Sequence, residues 1–435
     1  MLPLTELQMA DIMSRLNIKS LSEATIRQIV AVCGAAESVA GEPFIHLEVG
    51  NPGLPPNSIG IAAEHKALDN GVPAVYPPIM GVPELKNAAS RFLKAFVDLD
   101  IPARCIVPSV GSMQGSFGMM LLLSFRDPAK DTMLYLNPGF PPQHLQARLV
   151  GLKEASFDIY NYRGAALEEK LESILSKGNV TGILYSNPNN PAWTNLTEKE
   201  LEIIGRLATK YDAIVLEDMA YMGMDFRRDC GTPFVEPFIP TVGRYTDNYV
   251  VLLSASKIFS YAGQRVALVC MSPSVYDRRY TTLQNFLAMP AFGDAYVFGI
   301  VYAVSSGVSH SAQKAMAAML DAAADGHINF VDDCREYKSR CEKAKTVFTD
   351  AGFHLVYDTD DGEPVSDGFF FTAGYRDMDS ETLQRQLMRH GVASISLPGT
   401  GSKLHGLRIC VSKLADDKDF ETLAQRLKAF ADEQA

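Results

Sequence analysis

The chain has 435 residues, 47% hydrophobic and 21% charged, with a formal net charge of -11. That length suits two or three domains with ordinary globular cores. The acidity excludes a broad basic surface of the kind that binds nucleic acid or an anionic membrane.

Residues 5–38 read as helical, with Leu7, Met13, Leu16, Leu21, Ile26, Ile29 and Val30 near helical period and no apolar leader at the start. Gly50-Asn51-Pro52-Gly53 and Pro55-Pro56-Asn57 mark a loop, and helices are expected over 58–69 and 81–98. Beyond residue 104 apolar runs at 105–108, 132–136, 180–186, 212–218, 248–254 and 265–271 read as strands. Helical stretches at 113–125, 140–149, 165–176 and 197–210 separate most of them. This alternation predicts a mostly parallel sheet covered by helices on both faces. Residues 295–350 read as helical, including a long stretch ending near Asp350. Strands at 368–372, 393–396 and 406–411 and helices at 379–390 and 417–432 form a short α+β tail. The expected organisation is an N-terminal segment, 1–46, joining a small domain; a large domain, 47–300; and a long connecting helix with the rest of the small domain, 301–435. The longest apolar runs, such as Met119 to Leu123, are far below membrane-spanning length.

The seven cysteines (33, 105, 230, 270, 334, 341 and 410) include no Cys-x-x-Cys pair. The eight histidines pair closely neither with each other nor with cysteine. A reduced, cytoplasmic protein without a metal is expected.

Ser254-Ala255-Ser256-Lys257 follows the apolar run Tyr249–Leu253, and Arg265 opens the next one. A lysine partly withdrawn from water loses some preference for its charged form and becomes a nucleophile toward aldehydes. Two hydroxyls and an arginine beside it suit a phosphate. Together they suggest an aldehyde cofactor carrying a phosphate, pyridoxal 5′-phosphate (PLP). Gly111-Ser112 opens a helix after a strand, a ready phosphate site. Asp218 ends another strand, where a carboxylate can keep a pyridine nitrogen protonated, and the Tyr221 hydroxyl can reach the ring's phenolic oxygen. Plainer readings stand beside these: a surface lysine in a strand connection, an ordinary helix cap, an acid at a strand end.

In the joint order of these motifs the chain resembles fold-type I PLP enzymes of the class I/II aminotransferase family, from about Leu47 to Val411. The resemblance implies an aspartate aminotransferase-like α/β fold: a large PLP-binding domain with a mostly parallel seven-stranded sheet, and a smaller α+β domain. It makes Lys257 the Schiff-base lysine and proton carrier. Ser254, Ser256, Arg265 and the backbone of Ser112 and Met113 become phosphate ligands. Phe140, in Asn137-Pro138-Gly139-Phe140, matches the aromatic that stacks on the ring, and Asn190 and Tyr221 match the partners of its phenolic oxygen. Arg408 matches the clamp on the substrate carboxylate, with Gly50 beside it. Tyr76 matches the tyrosine that reaches the phosphate of a neighbouring subunit, which implies a homodimer with shared sites. The implied activity is ping-pong transfer of an amino group from an L-amino acid to a 2-oxo acid, through a Lys257 internal aldimine. A β-eliminating carbon–sulfur lyase is the alternative, and a PLP-binding regulator a more distant one. The turn departs from the family's Asn-Pro-Thr-Gly: here Ala192-Trp193 follows Asn190-Pro191, so a changed turn or an indole filling the pocket is expected. No arginine lies between Arg279 and Arg335, which weakens a dicarboxylate-specific reading.

Overall fold

The computed structural model describes residues 2–435. A seven-stranded sheet is built from β1 (Ile106–Val110), β2 (Thr132–Asn137), β3 (Lys153–Asp158), β4 (Val180–Ser186), β5 (Ile214–Asp218), β6 (Tyr249–Ser254) and β7 (Val266–Met271). Its spatial order is β1-β7-β6-β5-β4-β2-β3. β7 runs antiparallel to β1 and β6, and the other pairs are parallel. The inner strands β2, β6 and β7 are buried at every position, as expected for a sheet covered on both faces. β3, at the sheet edge, buries only its last two residues.

A second, antiparallel sheet holds β8 (Phe353–Leu355), β9 (Phe370–Tyr375), β10 (Ile395–Ser396) and β11 (Leu407–Cys410), in the order β10-β11-β9-β8. The N-terminal segment joins this part of the molecule. Ile45–His46 pairs in parallel with Val392–Ala393, and Met9, Ile12, Ile29 and Val32 pack in one core with Met388 and Ile395.

Two helical expectations need correction. The single N-terminal helix is two, Glu6–Arg15 and Ile26–Ala40, each opened by a Thr-x-x-Gln capping box (Thr5 with Gln8, Thr25 with Gln28). The long connecting helix is interrupted as well. His310–Ala324 packs on helices Ser58–Asp69 and Pro83–Val97 of the large core, and Glu336–Asp350 packs on β8, β9 and the last helix, Asp417–Glu433. Gly326, at φ +76°, turns the chain between them. Among the described residues no helix is long and apolar enough to cross a membrane. All seven cysteines are free and buried.

Candidate active site

The parallel strands β4, β5 and β6 deliver Asn190, Asp218 and Lys257 at or just beyond their carboxyl ends, where sheets of this kind hold ligands. Lys257 stands on a single helical turn, Ala255–Ile258, that Ser254 caps by accepting the Ser256 N–H at 3.2 Å. Its Nζ donates to the Gly50 carbonyl and lies 5.2 Å from the centre of the Phe369 ring. Burial pushes the ammonium down to about 8; Arg408 and Arg265 push the same way, and Cys410 opposes them. About a tenth of this amine is therefore neutral and nucleophilic at pH 7, far more than for an ordinary lysine.

Asp218 is buried, and its carboxylate accepts from Gln143 Nε2 at 2.9 Å and from the Ala220 N–H at 3.1 Å. Burial raises this acid to about 6, with those two hydrogen bonds pulling the other way. Neither partner is a cation, so a pyridinium N–H would complete it. Tyr221 is buried between Trp193, Phe369 and Phe370, with ring centroids 5.5, 5.5 and 5.4 Å away. Asn190 is buried, and its N–H donates to Ser186 Oγ at 3.1 Å.

The anion corner lies where helix Gly111–Arg126 begins. No side chain caps this helix, so the N–H groups of Ser112 and Met113 are open donors. The Arg265 guanidinium packs on Gly111: a Cβ there would fall 2.2 Å from Arg265 Nη2. Gly111 sits at φ +67°, so both its backbone and its surroundings demand glycine. An arginine at the positive end of a helix dipole is unfavourable until an anion joins it. This corner fits a phosphate.

Arg408, on β11, is 2% exposed. Its Nη2 donates to the Glu48 carbonyl, its guanidinium carbon lies 4.8 Å over the Phe370 ring, and its Nε has no hydrogen-bond partner. Burial lowers its pKa. A buried guanidinium with an idle donor fits a substrate carboxylate. Gly50 accepts the lysine on its carbonyl, and a Cβ on it would approach Phe370 Cζ at 3.2 Å. Phe140 caps helix Pro141–Leu149, half-buried and three residues before Gln143. Tyr76 is 91% exposed.

The altered turn sets a tryptophan in a left-handed backbone conformation. Trp193 takes φ +62°, a left-handed conformation that suits glycine, and its indole is wholly buried. The indole lies against Gly368, where a Cβ would come within 2.3 Å of it, and its Nε1 has no partner. Trp193→Gly removes about 3–5 kcal/mol of packing. It returns about 1 kcal/mol of backbone strain and about 1 kcal/mol from the unsatisfied N–H. A net loss of roughly 1–3 kcal/mol is expected by urea unfolding; a variant as stable as the parent would show that the indole is loosely packed.

Three functional residues escape a reading of the sequence. Gln143 orients Asp218 from 75 positions away, and nothing in its local pattern announces that. Phe369 and Phe370 read only as strand residues, yet their rings stand beside the lysine and the arginine.

The family model for class I and II aminotransferases matches residues 42–427, and the chain belongs to that family. Over 277 residues it is 24% identical to a probable aspartate aminotransferase of Methanocaldococcus jannaschii, covering 64% of this chain and 68% of that one. Over 249 residues it is 27% identical to an aspartate aminotransferase of Pyrococcus horikoshii, covering 57% of this chain and spanning 60% of that relative's own length. The fold matches a single mutant of Thermus thermophilus aspartate aminotransferase with a TM-score of 0.74 at 18% identity, covering 94% of this chain and 97% of the other.

Proposed function

We propose that the protein is a PLP-dependent aminotransferase that moves an amino group from an L-amino acid to a 2-oxo acid by ping-pong turnover. One observation carries the reading. A lysine held at about 8 by burial shares the Gly50 segment with a second buried cation, Arg408, whose Nε is idle. PLP, when bound, supplies the aldehyde and a ring that withdraws electrons from the substrate Cα.

The chain's own residues would do the rest. Ser254, Ser256, Arg265 and the N–H groups of Ser112 and Met113 hold the phosphate. Asp218, oriented by Gln143, keeps the proton on the ring nitrogen. Asn190 and Tyr221 donate to the phenolic oxygen, and Phe140 lies against the ring. Arg408 grips the carboxylate of the amino acid beside the Gly50 backbone. Lys257 would take the Cα proton as a base and return it as an acid to the carbon on the far side of the amino nitrogen. The exposed Tyr76 suits a contact with a second copy's phosphate site in a cytoplasmic homodimer, an assembly that light scattering would reveal or exclude.

The test is a half-reaction. Purified, PLP-loaded protein is given single amino acids without any oxo acid, and pyridoxamine phosphate is quantified by chromatography. One equivalent per site with some donor supports transamination. Release of ammonia and a new oxo acid, with the cofactor still in its aldehyde form, would replace this reading with the β-eliminating lyase.

A further inference from the structure

Away from the cofactor site, the N-terminal segment brings Cys33, His46 and Glu48 together. One ligand atom from each lies within 4.8 Å of the other two. Cys33 comes from helix Ile26–Ala40, and His46 and Glu48 from the chain that leads to Gly50. The sequence shows no metal spacing here, because 12 residues and a helix end separate the cysteine from the histidine, and tertiary contacts, among them His46 with Glu37 of the cysteine's helix, bring them side by side.

Two features exceed what a bridging histidine requires. Glu48 is 1% exposed, and its Oε2 is buried without any hydrogen-bond partner. His46 Nδ1 meets Glu48 Oε1 at 2.8 Å, while its other nitrogen, Nε2, meets Glu37 Oε1 at 3.1 Å. A carboxylate on the far nitrogen is the usual support of a metal-bound imidazole, since it fixes the tautomer and aims the free lone pair.

We infer that Cys33, His46 Nδ1 and Glu48 form a site for a divalent metal ion of the zinc class, with Glu37 holding the imidazole from behind. The ligand set of sulfur, nitrogen and oxygen suits a borderline-soft ion. A thiolate and a carboxylate together neutralise its two positive charges. Binding releases the Cys33 thiol proton, and also the Nδ1 proton when His46 carries both. The His46 side chain is 37% exposed, so water can reach and fill the fourth position. In a tetrahedral zinc site the ligand atoms stand roughly 3.5 Å apart. The present spread of up to 4.8 Å therefore needs to close by about 1 Å. The ion would tie the N-terminal helix to residues 46–50, the segment whose carbonyls receive Arg408 and Lys257.

The experiment uses PLP-replete protein stripped with a chelator and titrated with Co²⁺, read as a difference spectrum. A thiolate-to-cobalt charge-transfer band saturating at one ion per chain is expected, abolished by Zn²⁺. Cys33→Ser loses the band. His46→Asn loses stoichiometric binding. Glu37→Gln keeps the band but weakens Co²⁺ affinity by roughly 10- to 100-fold. Lys257→Ala keeps both band and affinity, which separates this site from the cofactor's. No band in the parent protein, an undiminished band in Cys33→Ser, or full affinity in His46→Asn overturns the assignment.

Discussion

Lys257→Ala is expected to lose turnover on the order of 10⁴-fold or more, because one amine serves as both covalent anchor and proton carrier. The same change is expected to stabilise the cofactor-free protein at neutral pH. The folded state holds this ammonium at about 8 against an ordinary 10.5. The unfolded chain binds more protons between those values, so the penalty is complete below about 8, shrinks as pH rises, and is gone above 10.5. A shift of that size corresponds to roughly 3 kcal/mol. Alanine removes this penalty and forfeits about 1 kcal/mol of stem packing. Urea unfolding should therefore show a gain of about 2 kcal/mol at pH 7. Near pH 10.5 it should show a loss of about 1 kcal/mol. A difference that ignores pH would mean the amine is not desolvated, and the case for its nucleophilicity would fall with it. Borohydride treatment of the PLP-loaded parent should leave the cofactor's mass on the peptide containing Lys257, and on no peptide of the variant.

What can be read before folding depends on how local the cause is. β6 and β7 announce themselves because every residue but Ser254, at the end of β6, is apolar and both faces are covered. β3 does not: its Lys153-Glu154-Ala155-Ser156 half faces water at the sheet edge, so its composition is that of a loop. The break in the N-terminal helix was visible in principle, since Thr25 and Gln28 form a capping box and Asn17 takes a left-handed φ of +57°. Apolar spacing alone runs straight through both. Lys257, Asp218 and Asn190 are legible because strand ends in a parallel sheet converge on one edge. Gln143, Phe369 and Phe370 are not, because their roles come from packing between segments far apart in the chain. Trp193 lies between these cases: its departure from glycine is plain in the sequence, but that the backbone takes a left-handed turn is a tertiary fact.

Arg408 gives the sharper test of substrate binding. Its register opposite Thr372 and Ile395 places it in the middle of a sheet, a poor place for a cation unless something pairs with it. Among the described residues its hydrogen-bond and ring partners are the Glu48 carbonyl and the face of Phe370. A carboxylate arriving there would replace water at a buried fork, and breaking such a pair costs about 2–5 kcal/mol. Arg408→Gln is therefore expected to lower kcat/KM for amino acids on the order of 10²–10³-fold. Arg408→Lys should recover only part of this, because an ammonium cannot match both carboxylate oxygens in a plane. The decisive comparison uses an amine that lacks the carboxylate. Its slow turnover should be nearly the same in the parent and in Arg408→Gln, since the lost contact was never made. If the variant lowers both substrates equally, the arginine supports the fold rather than the substrate, and the clamp must be sought elsewhere. A variant whose kcat/KM for amino acids is unchanged would remove Arg408 from the site altogether.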